Sequence, residues 1–231
     1  MANPPYNSIQ HALIMAAGRG MRMMPLTDSV PKPLVTLYGH SLISHGINFL
    51  KQHIANIHIT VGYKGNMVAE HTVQQGISTI FNTDGKGNAW WIYNTLLQYL
   101  DAPLLVLTCD NIVELDLDLL YKEYINLGSP ACLLVPVVPV PGLEGDYILH
   151  ENNRVTQLSR EITTNLYCSG IQIVNPCMLN KISRPTESFY DVWNVAKQEG
   201  QLFCSDIYPS RWTAIDTIDQ LNLLNVSNIN L

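Results

Sequence analysis

The chain has 231 residues, 47% hydrophobic and 14% charged, enough apolar material for a sizeable core and too much for disorder. Its 13 Lys and Arg against 19 Asp and Glu give a formal charge of −6, which excludes a broad phosphate-tracking nucleic-acid surface. Any anion site must therefore be a local concentration of cations.

Residues 12–17 are an apolar run without polar alternation, as expected of a strand buried on both faces of a parallel sheet. Residues 34–37 and the turn Tyr38-Gly39-His40 lead into a helix over 41–54, where Leu42, Ile43, Ile47, Leu50 and Ile54 recur at helical spacing. A second strand over 57–61 ends at Gly62-Tyr63, a helix spans 65–75, and a third strand spans 78–82. Residues 83–88 form a turn-rich loop and 89–100 a helix, and the apolar strand 103–108 ends in Cys109-Asp110-Asn111. This is a β-α-β-α-β pattern with short connections, which predicts a parallel sheet covered on both faces.

A helix over 117–127 follows, and then a β-rich run over 131–140 whose Pro136 and Pro139 predict an edge or bulged strand. Residues 146–149, 154–158 and 167–174 read as short antiparallel strands, and 178–182 and 189–199 as helices. Residues 202–207 and 212–215 are expected to close the sheet, before a terminal helix over 218–225. The five cysteines (Cys109, Cys132, Cys168, Cys177, Cys204) are scattered and read as reduced core thiols. Residues 1–10 are polar, unlike a signal peptide, and no apolar run reaches transmembrane length. The expected setting is the cytoplasm, with neither membrane nor nucleic acid as a partner.

Ligands of open α/β sheets bind outside the carboxyl ends of the strands. Residues 18–22, Gly62-Tyr63, residues 82–88 and Asp110 all follow such ends, so they should converge on one crevice. The glycines of Gly18-Arg19-Gly20 let the backbone bend and bring N–H groups close to an anion. Arg19, Arg22 and Lys32 add three cations, with Lys32 bracketed by Pro31 and Pro33. Gly-x-Gly alone reads equally well as a turn with solvated arginines. Asp110 at the site edge is a candidate Mg²⁺ ligand, since that ion needs only one or two protein carboxylates beside substrate phosphates. An Asp capping the next element is the alternative.

The longer string is more specific. Ala16-Ala17-Gly18-x-Gly20-x-Arg22-Met23-x-Pro25-Leu26-Thr27, followed by Pro31-Lys32-Pro33-Leu34, resembles the signature of nucleotidyltransferases that activate sugar phosphates and related phosphate monoesters. The resemblance is sharp before Leu37 and around Asp110. It implies an α/β fold, a three-layer α/β/α sandwich with a mixed, mostly parallel sheet and a Rossmann-like nucleotide-binding half. With no linker or repeat, residues 1–231 are expected to be a single domain. The nucleotide half covers roughly 10–115 and the acceptor half roughly 130–231.

The implied reaction moves a nucleoside monophosphate from an NTP to a phosphate monoester, releasing pyrophosphate, with Mg²⁺ as cofactor. Lys32, Arg19 and Asp110 are the catalytic candidates, and Ala16, Ala17, Gly18, Gly20 and Arg22 the nucleotide loop. Asn82 stands where relatives carry an amide that reads the base, and Gly87-Asn88 where they carry a small-residue helix start. Trp90 and Trp91 replace small residues of relatives, either shaping the acceptor pocket or filling core.

Sugar-phosphate members place their second metal ligand in a stretch like Asp-x-Gly-Thr after a Trp. Here that Asp position is Ala214, whereas Asp216 fits the pattern of phosphocholine cytidylyltransferases. Asp216 is thus expected to be the second ligand, against the alternative of a helix N-terminal carboxylate. Gly170 matches a glycine under the acceptor. Arg160 is read as a holder of the acceptor phosphate or an exposed turn arginine. Tyr190, Asp191 and Trp193 could bind a quaternary ammonium by cation–π attraction, stack on a sugar, or form an ordinary helix face. The favoured expectation is CTP with phosphocholine or another phospho-alcohol. Its alternatives are uridylyl or guanylyl transfer to a sugar 1-phosphate, and a non-catalytic nucleotide-binding regulator.

Overall fold

The computed structural model describes residues 8–140 and 145–227. Residues 1–7 of the polar N-terminal stretch, and the outermost ends of the expected 1–231 domain, lie outside the described residues. The elements in chain order begin with β1 (His11–Ala16), the short pair β2 (Thr36–Leu37) and β3 (His40–Ser41), and α1 (Leu42–Lys51). Then come β4 (Asn56–Val61), α2 (Gly65–Val73), β5 (Thr79–Asn82), α3 (Trp90–Asn94), β6 (Leu104–Thr108), β7 (Asn111–Glu114) and α4 (Leu117–Asn126). The rest is β8 (Cys132–Val137), β9 (Tyr147–Glu151), β10 (Arg154–Ser159), β11 (Tyr167–Val174), α5 (Pro176–Ile182), α6 (Phe189–Gln198), β12 (Leu202–Cys204), β13 (Arg211–Ala214) and α7 (Ile218–Ser227).

Nine strands form one mixed sheet in the order β5-β4-β1-β6-β11-β8-β12-β10-β9. The strands β5, β4, β1 and β6 run parallel, while β11 and β10 oppose their neighbours. Alternation along β1 sends Ala12, Ile14 and Ala16 to one face and Leu13 to the other. The first face is covered by α1, α2 and α4 through Ile43, Ile47, Leu50, Val68, Leu120 and Tyr124. The second is covered by α3, α5 and α6 through Trp91, Ile92, Leu179, Phe189, Val192 and Ala196. Three layers result. Each fully buried Leu, Ile or Val contributes about 1.5–3 kcal/mol. Ser41 starts α1 by accepting the Ser44 N–H at 3.3 Å, as an N-cap serine should.

Register brings the strand ends together, with Ala16 opposite Val61, Val61 opposite Asn82 and Met15 opposite Thr108. The carboxyl ends of the parallel strands therefore share one edge, where the sequence expected the crevice.

Three local expectations need correction, the edge or bulged strand only in its first half, since an irregularity does occur in its pairing with β11. The helix expected over 89–100 breaks at Thr95, whose backbone is extended. Its hydroxyl donates to the Trp91 carbonyl and accepts the Leu97 N–H, so a 3-10 turn follows. The strand with Pro136 is interior, between β11 and β12. Proline is tolerated because β11 slips register between Cys168 and Ile171 opposite it. Residues 212–215 do not close the main sheet. As β13 they pair instead with β7, a strand the sequence reading missed, setting Ala214 opposite Asn111.

A third cluster unites Met23, Val35, Leu37 and Leu42 with Ile215 and Leu221, drawing the last helix onto the N-terminal loop. No helix among the described residues is long and apolar enough to cross a membrane. All five cysteines are free, and burial pushes Cys109 and Cys204 up to about 12.

Candidate active site

The loop leaving β1 is shaped by its two glycines in different ways. Gly18 faces open space, with nothing within 4 Å of where a Cβ would stand. Gly20 has φ +68, and a Cβ there would lie 2.7 Å from Lys32 Cβ, so both backbone and contact demand glycine. Lys32 then opens a short 3-10 turn with Pro33, which fixes where its stem departs.

The Lys32 ammonium, only 12% exposed as a side chain, meets Asp110 Oδ2 and lies 2.7 Å from Asp216 Oδ1. Burial alone would lower the Lys32 pKa, but the neighbouring carboxylates outweigh it and the net direction is upward. Burial likewise opposes ionisation of Asp110, and the Lys32 charge overrides it, holding the carboxyl below its ordinary value. The resting site is thus a lysine between two carboxylates, with Arg22 Nη2 a further 2.8 Å from Asp216 Oδ1.

The ribbon of β7 and β13 makes this cluster possible. Asp110 immediately precedes β7, Asp216 closely follows β13, and Ile215 N–H donates to the Asp110 carbonyl at 3.2 Å. Asp216 does stand at the N-terminal end of α7, as its alternative reading had it, but it is not the cap. Thr217 Oγ1 accepts the Gln220 N–H and Gln220 Oε1 accepts the Thr217 N–H, a reciprocal capping box that leaves the Asp216 carboxylate for the site. Ala214 has no carboxylate to give and sits opposite Asn111.

Three adjoining cavities form one trough. A cavity of about 290 Å³ is bordered by Ala17, Gly18, Thr60, Thr83, Gly87 and Trp91. A second, about 330 Å³, shares Met15, Gly18 and Thr108 with it and holds Gly20, Arg22, Lys32, Asp110 and Asp216. A third, about 200 Å³, shares Arg22, Asp110 and Asp216 and extends to Asn111, Tyr167, Gly170 and Trp212. Gly170, with φ +83, lets β11 approach; a Cβ there would lie 3.2 Å from Thr108 Oγ1.

Six buried side-chain polar atoms lack a hydrogen-bond partner among the described residues. Three of them, Asp110 Oδ1, Asn111 Oδ1 and the Tyr167 hydroxyl, belong to residues bordering the third cavity. A fourth, Trp91 Nε1, belongs to the first. Buried polar groups left unpaired are costly, so such a concentration singles out these cavities as a candidate site for a polar ligand. Burial raises the Tyr167 pKa to about 12, so its hydroxyl keeps its proton.

A cation of magnesium's chemistry fits these residues. Asp110 and Asp216 supply oxygen donors on one cavity, and the Asp110 Oδ1 atom is buried without a partner. No group of three or more His, Cys, Asp or Glu that could hold a metal occurs among the described residues.

Not every other expected site residue borders the trough. Ala16 ends β1 in the core and Arg19 is exposed. Asn82 is not among the residues bordering the trough, and its Oδ1 accepts the Asp84 N–H in a turn. Gly87 and Asn88 do border the first cavity, where Asn88 Oδ1 accepts the Phe189 N–H and fixes the entry to α6. Trp91 is core and a wall of the first cavity at once, while Lys86 Nζ stands 5.8 Å from the centroid of the Trp90 ring.

Of the expected acceptor set only Gly170 borders the trough. Arg160 reaches Asp146 at 3.4 Å and the Tyr190 hydroxyl, which itself donates to Asp146. Asp191 accepts from the Thr186 hydroxyl at 2.7 Å, and Trp193 donates to Gln172 and stacks on Phe189. The helix α6 turns Phe189, Val192 and Ala196 inward, so its remaining side chains serve neighbouring loops and a separate pocket. Asn111, Tyr167 and Trp212 were missed. Asn111 stands beside Asp110 and Trp212 opens the stretch in which the resemblance places the second metal ligand, whereas Tyr167 had no local signal.

Comparison with known proteins gives the family and the fold. The sequence profile of the nucleotidyl transferase family matches residues 11–158. A mannose-1-phosphate guanyltransferase beta-B from Xenopus laevis is 28% identical over 85% of this chain and 58% of its own length. The catalytic subunit beta of mannose-1-phosphate guanylyltransferase from Drosophila melanogaster is 26% identical over 89% of this chain and 59% of its own. The chain thus spans under three-fifths of the length of these relatives. Among solved structures, a putative glucose-1-phosphate thymidylyltransferase from Bacillus anthracis superposes with TM-score 0.77 at 18% identity, covering 96% of both chains. The inositol-1-phosphate CTP transferase of T. maritima gives 0.73 at 18% identity, covering 93% of this chain and 92% of that one. With a family profile matched over more than half its length and the family's fold, the chain belongs to the nucleotidyl transferase family.

Proposed function

We propose that this chain transfers a nucleoside monophosphate, with GTP the favoured donor, to a sugar 1-phosphate and releases pyrophosphate. The observation that carries the acceptor class is the pair Asn111 Oδ1 and Tyr167 hydroxyl, buried and unpaired among the described residues, on two residues that border the cavity beside Asp110. A polyhydroxylated ring offers O–H groups to both, whereas the trimethylammonium of phosphocholine has no N–H or O–H to offer. The aromatic and acidic side chains expected to hold that ammonium do not meet on the trough. This moves the reading from CTP and phosphocholine to the sugar-phosphate alternative, and the names of the guanylyltransferase relatives favour GTP.

In this reading the nucleotide lies along the first two cavities and the sugar in the third. An oxygen of the acceptor phosphate attacks the α-phosphorus, the bond to the β-phosphate oxygen breaks, and pyrophosphate leaves. The attacking phosphate is already anionic, so no base is required. Lys32 stabilises charge on the α-phosphate, while Arg19 and the N–H groups of residues 18–20 hold the β- and γ-phosphates. Arg22 borders both the second and third cavities, which suits it to the acceptor phosphate. Asp110 and Asp216 would hold Mg²⁺, which when bound neutralises triphosphate charge. Positioning plus electrostatics accounts for the rate. We take the described residues to act as one catalytic unit, and the unpaired cysteines favour a reducing compartment, the cytoplasm.

Pyrophosphate release tests the proposal, with GTP, UTP, CTP, ATP and dTTP each offered mannose 1-phosphate, glucose 1-phosphate or phosphocholine with Mg²⁺. The expected result is release with GTP and a sugar 1-phosphate. Preference for CTP with phosphocholine would restore the displaced alternative. Nucleotide binding without release under any combination would mark a regulator.

A further inference from the structure

The Gly62-Tyr63 pair at the end of β4 has no task in the site as described. The Tyr63 N–H donates to the Ala17 carbonyl at 3.1 Å, and Gly62 permits the approach, since a Cβ there would stand 2.6 Å from the same oxygen. The Arg19 guanidinium carbon lies over the Tyr63 ring, 5.2 Å from its centroid. The Tyr63 hydroxyl donates to the Thr27 carbonyl at 3.2 Å. Lys64, held in the left-handed region at φ 51, donates to the carbonyls of Asp28 at 2.6 Å and Ser29 at 2.9 Å. Buried Thr27 closes the chain, its hydroxyl donating to the Gly20 carbonyl at 3.0 Å. One strand end therefore grips both sides of the cation-bearing loop.

We propose that Tyr63 is a positioning residue that holds Arg19 and the loop at Thr27 in readiness for the β- and γ-phosphates of the nucleotide. This rests on the nucleotidyl-transfer reading. Arg19 is exposed and has no carboxylate partner among the described residues, so little else restrains its long side chain. A guanidinium held over an aromatic ring by cation–π attraction makes no hydrogen bond to that ring, so its N–H donors stay available for phosphate oxygens. Pre-placing it reduces the conformational freedom lost on binding. Lys64 acts beside it as a staple on the loop backbone.

The test compares Tyr63→Leu and Tyr63→Phe in the full chain, titrated with inorganic pyrophosphate and separately with GMP, both with Mg²⁺. Tyr63→Leu is expected to weaken pyrophosphate binding about tenfold and to leave GMP within about twofold, a size set by one cation–π contact and one hydrogen bond. Tyr63→Phe keeps the ring and should recover most of the loss. In turnover the KM for the triphosphate rises by the same factor while the KM for the acceptor holds. Equal losses for GMP and pyrophosphate, a Tyr63→Phe variant as weak as Tyr63→Leu, or a wild-type chain that does not bind pyrophosphate would each overturn the proposal. Tyr63-dependent pyrophosphate binding without release of pyrophosphate from any triphosphate would uphold it while removing the transfer reaction.

Discussion

The two ends of the trough are assembled by different routes. At the phosphate end, Gly18, Gly20, Arg22 and Lys32 belong to one loop after β1, and their spacing alone nearly determines where they meet. At the acceptor end, Asn111, Tyr167, Gly170 and Trp212 come from β7, β11 and β13, and only tertiary pairing makes them neighbours. Asp110 and Asp216 stand at the join, in both cavities. Under the proposed function, a locally encoded loop supplies chemistry common to a family, while a surface contributed by distant strands is free to choose the acceptor.

Substitutions at the join should have the largest effect. Lys32→Ala and Asp110→Asn are each expected to lower kcat at least ~100-fold, the scale for losing a preorganised electrostatic contact. Asp216→Asn should follow at about tenfold or more, because Asp216 shares its charge with Arg22 as well as Lys32. Steady-state pyrophosphate release measures all three, and near-normal turnover in them would break the comparison at its centre.

The acceptor end should respond more mildly and on one substrate only. Asn111→Ala and Tyr167→Phe are each expected to lower kcat/KM for the sugar phosphate about tenfold, the cost of one buried hydrogen-bonding group. The KM for the triphosphate should stay within about twofold in both. Equal loss on the two substrates would point to damaged folding rather than lost recognition. Smaller still is Arg160→Ala. With Arg160 engaged by Asp146 and Tyr190 away from the trough, its loss should change acceptor KM by less than about threefold, the range of an exposed ion pair.

The last expectation concerns stability away from the trough. Burial first, and then the charge of His11, lower the His58 pKa from 6.5 to about 4; the two rings stack, with nitrogens 3.1 Å apart. A histidine that folds neutral stabilises the native state above its ordinary pKa and loses that contribution as pH falls. The melting temperature should therefore decline from about pH 6.5 toward pH 4, and less steeply in His58→Gln. Parallel curves for the two proteins would remove His58 from the account.

Much of the architecture was legible because apolar runs and turn residues repeat at the periods of parallel strands and their covering helices. The crevice followed from which strand ends carried glycine and aspartate. Less legible was anything set by pairing between distant segments. Nothing local tells residues 111–114 to pair with 211–214, and without that ribbon Asp216 reads equally well as a helix cap. Tyr167 looked like one more strand tyrosine until its hydroxyl proved buried without a partner. Arg160, Asp191 and Trp193 are the opposite case. Their chemistry suited a site, but Asp146, Thr186 and Gln172 already engage them.

In the proposed function, Asn111 and Tyr167 select a hydroxyl-bearing acceptor beside the Lys32, Asp110 and Asp216 cluster. The most direct measurement is kcat/KM for mannose 1-phosphate and for phosphocholine, in the wild-type chain and in the Asn111→Ala/Tyr167→Phe double variant. The account predicts a strong sugar preference in the wild type that collapses in the variant, while the KM for GTP holds. An unchanged preference in the double variant, or a wild-type chain that favours phosphocholine, would contradict it.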